Sequence, residues 1–245
     1  MLSTTAEIQA ALDVLRDDDI PFPFLAAKSL LVTHGVTSSR VSLSSLYENE
    51  IGFEKVMVVF GRNLLWGCIK DWLADAREGL DLVSLKANKA SLKVILPVKH
   101  KHLQRLLDED FKGHPLETIL YADDDGSVFK ELGLFTVKFD SRQLRYTMHD
   151  RRTVLGNTLY GFSVGITSGI IGDPRQNGGT FVFRRKEEND KILDKTTAEC
   201  KIECIFAHVD RVNADLVPIP VLLAAANLPA DMYKHPTGTF RPYEE

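Results

Sequence analysis

The run KVMVVF at residues 55–60 constrains this chain more than any other stretch. An unbroken apolar run of this length suits a strand buried on both faces, as in the middle of a parallel sheet, because a half-exposed strand alternates instead. The run leads through GRNLLWG into a segment with helical period. Ile69, Trp72, Leu73, Ala76 and Leu80 fall at i, i+3, i+4, i+7 and i+11, while Lys70, Asp71, Asp75, Arg77 and Glu78 take the outer face. Residues 83–90 read as its continuation.

The pattern then repeats. SLKVILPV (91–98) reads as a second strand, KHLQRLLDEDF (101–111) as a helix and LETILYAD (116–123) as a third strand ending in an acidic turn. GSVFKELGL (126–134) is a short helix closed by Gly133. After a long variable segment, GGTFVFRR (178–185) and KIECIFAHV (201–209) look like an antiparallel pair, and PIPVLLAAAN (218–227) supplies a last helix. Upstream, Ser3 or Thr4 caps a helix with Ile8, Ala11, Leu12 and Leu15 at helical spacing, stopped by Asp17–Asp19 and two prolines. Residues 36–47 alternate loosely, as a short hairpin does. A parallel β-α-β unit followed by a hairpin and a closing helix is the thioredoxin-type order, with its site at the first strand-to-helix turn. The expected fold is therefore α/β and thioredoxin-like, a central mixed sheet flanked by helices. The expected divisions are an N-terminal helical extension (1–35), the redoxin-type domain (36–230) and a C-terminal tail (231–245).

The 30 basic and 34 acidic residues are mixed along the chain and give a net charge of -4, so no basic face for nucleic acid stands out. No stretch reaches the roughly 18 apolar residues of a membrane span, and the first residues lack the basic and apolar regions of a secretory signal. Three cysteines, at 68, 200 and 204, do not make a secreted disulfide framework. A cytoplasmic protein is expected, without nucleic-acid or membrane partners.

Four segments together, FGRNLLWGCIKD, YADDDGSVFKELGL, GDPRQNGGTFVF and CIFAHVDRVNADLVPIPVLLAAA, resemble the AhpC/TSA-type redoxins. More closely, the chain resembles a fungal-type branch of the peroxiredoxin-like, prostamide synthase-like proteins, over roughly residues 38–228. In that family the strand-to-helix turn resembles F-x-R-H-F-x-C-G-x-C-x-E. Its cysteines sit at a helix N-terminus, where the dipole and free N–H groups favour the thiolate. Aligned without a gap, Phe60, Arg62 and Gly67 match, but Trp66 and Ile69 stand at the two cysteine positions. Asn63 replaces a common histidine, and Asp71 replaces a glutamate. The resemblance thus implies a redoxin scaffold with a degenerate C-x-x-C.

Cys68 lies between the two lost positions. It is either a displaced nucleophile that still feels the helix dipole or a small packing residue. Cys200 and Cys204 share a face of a predicted strand about 13 Å apart, too far to bridge, and read as structural. Arg175, Gln176 and Asn177, in a glycine-rich turn, are placed by the resemblance opposite the Trp66 loop, where they can orient a carbonyl or carboxylate. A plain tight turn is the alternative. His208 suits a structural hydrogen bond better than acid–base work. His149 lies in the long segment 135–170, which is either a binding element or a solvated turn. Asp123–Asp125 read as a turn and helix cap, and no metal or cofactor is expected.

The chemistry that fits is a repurposed redoxin binding a small organic molecule, with Trp66, His149, Arg175, Gln176 and Asn177 around it. Arg62, Asn63, Cys68 and Asp71 are the candidate catalytic groups, for isomerisation, cyclisation or dehydration in specialised metabolism. A one-cysteine thiol peroxidase or reductase using Cys68 and a non-catalytic pseudo-redoxin remain open, as do the existence of an enzyme activity and a homodimer.

Overall fold

The computed structural model describes residues 5–16, 27–48, 52–62, 67–134, 177–185, 202–210 and 216–234. Within these, the helices are α1 (Thr5–Leu15), α2 (Gly67–Gly79), α3 (Leu82–Ala87), α4 (His100–Leu106), α5 (Ser127–Glu131) and α6 (Ile219–Ala225). The strands are β1 (Leu31–His34), β2 (Arg40–Ser42), β3 (Lys55–Phe60), β4 (Ala90–Leu96), β5 (Leu120–Ala122), β6 (Gly179–Arg185) and β7 (Ile202–Val209). The described strands form one sheet in the order β2-β1-β5-β4-β3-β6-β7.

The apolar run KVMVVF becomes β3, buried from Val56 to Phe60, flanked by β4 in parallel and β6 in antiparallel register. β4 is buried along its whole length and pairs in parallel with β5. With α2 linking β3 to β4, the antiparallel β6–β7 pair beyond β3, and α6 after β7, the order is that of the thioredoxin fold. One face of the sheet carries Met57, Val59, Leu92, Val94, Val182 and Phe206 against the helices α1, α2, α4 and α6. The other carries Val58, Phe60, Ile95, Tyr121, Phe181 and Phe183 against Phe129 and Leu43.

Several elements differ from the sequence reading, each for a local reason. The third strand is only Leu120–Ala122, because Pro115 starts a 3-10 turn over Pro115–Ile119 that His114 caps through Leu116 N at 3.2 Å. The helix at 101–111 ends at Leu106 and passes into a π turn, Leu107–Phe111. Residues after Leu80 form the separate helix α3, since Asp81 Oδ1 accepts the Val83 and Ser84 amides and starts it afresh. The hairpin uses Leu31–His34 as its first strand, so the sheet begins ahead of residue 36. Asp75, assigned to the outer face of α2, is buried beside Tyr233, whose phenol is pushed upward by burial and by the Asp75 charge. Tyr233 is held there by its bridge to Leu80 and by Lys234 N on Gly79 O, so the first residues of the expected tail belong to the core.

A bulge shapes β7. Val182 faces Phe206 and Phe183 faces Cys204, which leaves Ile205 unopposed. The extra residue puts Ile205 and Phe206 on the same helix-bearing face and resets the alternation, so His208 also points to that face. Cys204 is exposed as a residue, but its Sγ is turned onto Phe206 O at 3.2 Å. Desolvation of that sulfur pushes the thiol up to about 11, far from a thiolate at neutral pH.

The turn after β3 is fixed by packing. A Cβ on Gly61 would lie 2.6 Å from Leu96 Cδ2 and 2.7 Å from Ile69 Cδ1. Ile69, fully buried in the first turns of α2, therefore sits on the glycine and holds helix to strand. Gly61→Ala is expected to cost about 1–3 kcal/mol in urea unfolding, and Ile69→Val in the same chain to recover part of it. Equal stability of wild type and Gly61→Ala would show that the contact is loose.

Candidate functional site

Ligands of open α/β sheets bind beyond the carboxyl ends of parallel strands, where the strand order reverses. Here β3 is that place, with parallel β4 on one side and antiparallel β6 on the other. The register lines up Phe60, Gly179 and Val209 across β3, β6 and β7. Arg62 follows β3, Asn177 and Gly178 precede β6, and Asp210 follows β7. These residues therefore meet at one corner of the sheet, within about 10 Å by strand spacing.

The corner is tightly built. Asp210 N donates to Gly178 O at 3.1 Å, and Asn177 N to Leu134 O at 3.1 Å. A Cβ on Gly178 would strike both Phe60 O and Asp210 Oδ2, so only glycine lets the two strand ends close. Arg62 and Asp210 are completely buried, and Asn177 is nearly so. Thr180, one step into β6, is also fully buried and faces Val59 and His208 in register. His208 Nδ1 donates to Leu15 O at 2.8 Å, while its Nε2 lies 3.8 Å from Asp210 Oδ1. Arg62, Asn177, Thr180, His208 and Asp210, at or next to these strand ends, are thus all withdrawn from water. Such groups orient and polarise a bound carbonyl or carboxylate strongly, because little solvent screens them.

Of the residues expected from the sequence, Arg62 lies just after β3 and Asn177 just before β6, both buried. Asp71 is half-buried on α2 and lines a cleft of about 340 Å³ between α2 and the α4–π-turn segment, together with Lys70, Arg77, Glu109, Asp110 and Phe111. Arg62 and Asn177 are not among the walls of that cleft. Cys68 falls in the first turn of α2, at the helix end that favours a thiolate, but its side chain lies outside the described residues. Asn63, Trp66, His149, Arg175, Gln176 and Cys200 lie outside them altogether. Asp210 was not singled out in the sequence, although its position directly after a predicted strand is the signal that would have found it. His208 makes the structural hydrogen bond that was expected of it.

The acidic turn is a junction of elements. Asp123 Oδ2 accepts Val128 N and Phe129 N at 3.0 and 3.2 Å and so caps α5. Asp124 accepts Thr33 Oγ1 and His100 N, both at 2.6 Å, tying β1 and α4 to the end of β5. Asp125 accepts Ser127 N at 3.0 Å. Among the described residues no group of His, Cys, Asp or Glu is disposed to hold a metal ion, and no helix is long and apolar enough to cross a membrane.

The strand order defines the class: a thioredoxin fold with a mixed sheet flanked by helices. Compared with protein families and with curated proteins, the chain matches none. Among solved structures it is similar to peroxiredoxin Q of Xanthomonas campestris, at 13% identity over 86% of this chain and 98% of that chain, with a TM-score of 0.44. It is also similar to the bacterioferritin comigratory protein of that organism, a protein with alkyl peroxide reduction activity, at 14% identity over 87% and 98% with a TM-score of 0.40. At these values the strand order, and not the likeness, carries the fold.

Desolvation raises Asp123 from the usual 3.8 to about 6, against the lowering effect of the amides it accepts. Between about pH 4 and 6 the folded chain then holds a proton that the unfolded chain has lost, so stability falls as pH rises through this window, by up to about 3 kcal/mol. Asp123→Asn, which keeps an acceptor for the α5 amides, is expected to flatten that slope in unfolding titrations. An unchanged slope would place the titrating group elsewhere.

Proposed function

We propose that this chain is a repurposed redoxin of the peroxiredoxin-like, fungal-type branch with a degenerate C-x-x-C. On this reading it binds a small organic molecule at the corner beyond β3 and acts on it without dithiol chemistry. The carrying observation is Ile69: at the position where the resembling family places its second cysteine, this side chain is fully buried between Gly61 and Leu96 and serves the core. A thiol there would be an inert core residue, and Trp66 at the first position has no thiol at all.

The chemistry that remains is polar. Arg62 and Asn177 orient a carbonyl or carboxylate, with Gln176, Arg175 and His149 on the surrounding turns and Trp66 as an apolar wall. Asn63 adds a neutral polar group after β3, and Asp71, which lines the separate cleft beside α2, is the carboxylate offered for proton movement in an isomerisation, cyclisation or dehydration. The role fits specialised metabolism in the cytoplasm.

The competing reading, a one-cysteine peroxidase, draws on Cys68 in the first turn of α2. Consumption of hydrogen peroxide and an alkyl hydroperoxide, with a dithiol reductant present, separates the two. Wild type and Cys68→Ser are expected to give the same background rate. A rate abolished by Cys68→Ser would make the protein a thiol peroxidase and overturn the proposal.

A further inference from the structure

α1 is an appendage in sequence, yet its C-terminal end is bonded into the sheet. Ala11 and Leu15 are buried against α6, and Ile8 and Leu12 pack on the same core. The Arg16 guanidinium donates to Ile205 O, the carbonyl of the bulged residue, at 2.9 Å. Leu15 O accepts from His208 Nδ1, which fixes a proton on that nitrogen and turns Nε2 toward Asp210 Oδ1. Asp210 in turn closes on Gly178, through its amide and through the side chain that leaves no room for a Cβ. From the end of α1 a hydrogen bond thus reaches one buried imidazole, whose other nitrogen comes within 3.8 Å of Asp210 at the corner, a close approach and not a second hydrogen bond.

We propose that α1 is a strap latched onto this corner through His208, so that docking of α1 and closure of the corner are thermodynamically coupled. A helix of 11 residues is marginal alone in water, so an undocked α1 unravels and Leu15 O leaves the ring. The imidazole then loses the acceptor that sets its orientation, and Asp210 loses a fixed neighbour. Coupling of this kind is reciprocal: whatever tightens the corner also tightens α1. The bulge is what makes the latch, since without the extra residue His208 would point to the opposite face. His208 is a positioning residue here. The inference needs the geometry of the corner and not the reaction assigned to it, and it is tested without ligand.

The test is amide hydrogen exchange on the full chain. The variant Leu12→Ala with Arg16→Ala loosens α1 without touching the corner. Exchange of the α1 amides is expected to rise about tenfold, as loss of such a bond and its packing implies, and the Asp210 and Asn177 amides to rise with it. His208→Ala should do the same. His208→Asn, whose side-chain amide stands where Nδ1 stood, should restore protection of α1. If α1 is freed while the Asp210 and Asn177 amides exchange as in wild type, the coupling is wrong. If α1 exchange is unchanged in both loosening variants, or His208→Asn behaves as His208→Ala, there is no latch.

Discussion

The seating of Ile69 on Gly61 is the contact on which the rest of this site depends. It sets how α2 leaves β3, because a Cβ on the glycine would collide with both Ile69 and Leu96. It also decides the chemistry. On the proposed reading Ile69 stands where a second cysteine would, and its side chain is committed to the hydrophobic core. Trp72, one turn on, reinforces the arrangement by donating Nε1 to Val217 O at 3.0 Å, which joins α2 to the segment entering α6.

What gathers at the strand ends is costly to bury. Arg62 and Asp210 are both shielded completely from solvent, and charges at that depth lower stability unless they are compensated. Tight backbone closure at Gly178 and the register of β3, β6 and β7 hold them in place. The bulge at Ile205 adds the imidazole by turning His208 inward. A corner built this way is rigid and weakly screened, the conditions under which a few polar groups orient and polarise a ligand best.

The sequence carried the central architecture and much less of the corner. KVMVVF, the helical period from Ile69 to Leu80, and SLKVILPV announce β3, α2 and β4, because burial on both faces leaves an uninterrupted apolar run. Arg62 and Asn177 were named through the resemblance, and their backbones fall at adjacent strand ends. The bulge was not: IECIFAHV accommodates either alternation, and only pairing with β6 shows that Ile205 is unopposed. Asp75 was misplaced because periodicity assigns a charged residue to the outer face, whereas Tyr233, more than 150 positions away, supplies it with a buried partner. The shortening of the third strand to Leu120–Ala122 follows from Pro115 and His114, whose capping geometry a strand pattern does not display.

Native mass spectrometry of the full chain, purified gently from the cells that make it, addresses the central claim most directly. A stoichiometric small organic ligand that leaves on denaturation is expected, with Cys68 unmodified. A bare chain mass combined with a peroxide-dependent oxygen adduct on Cys68 would contradict it.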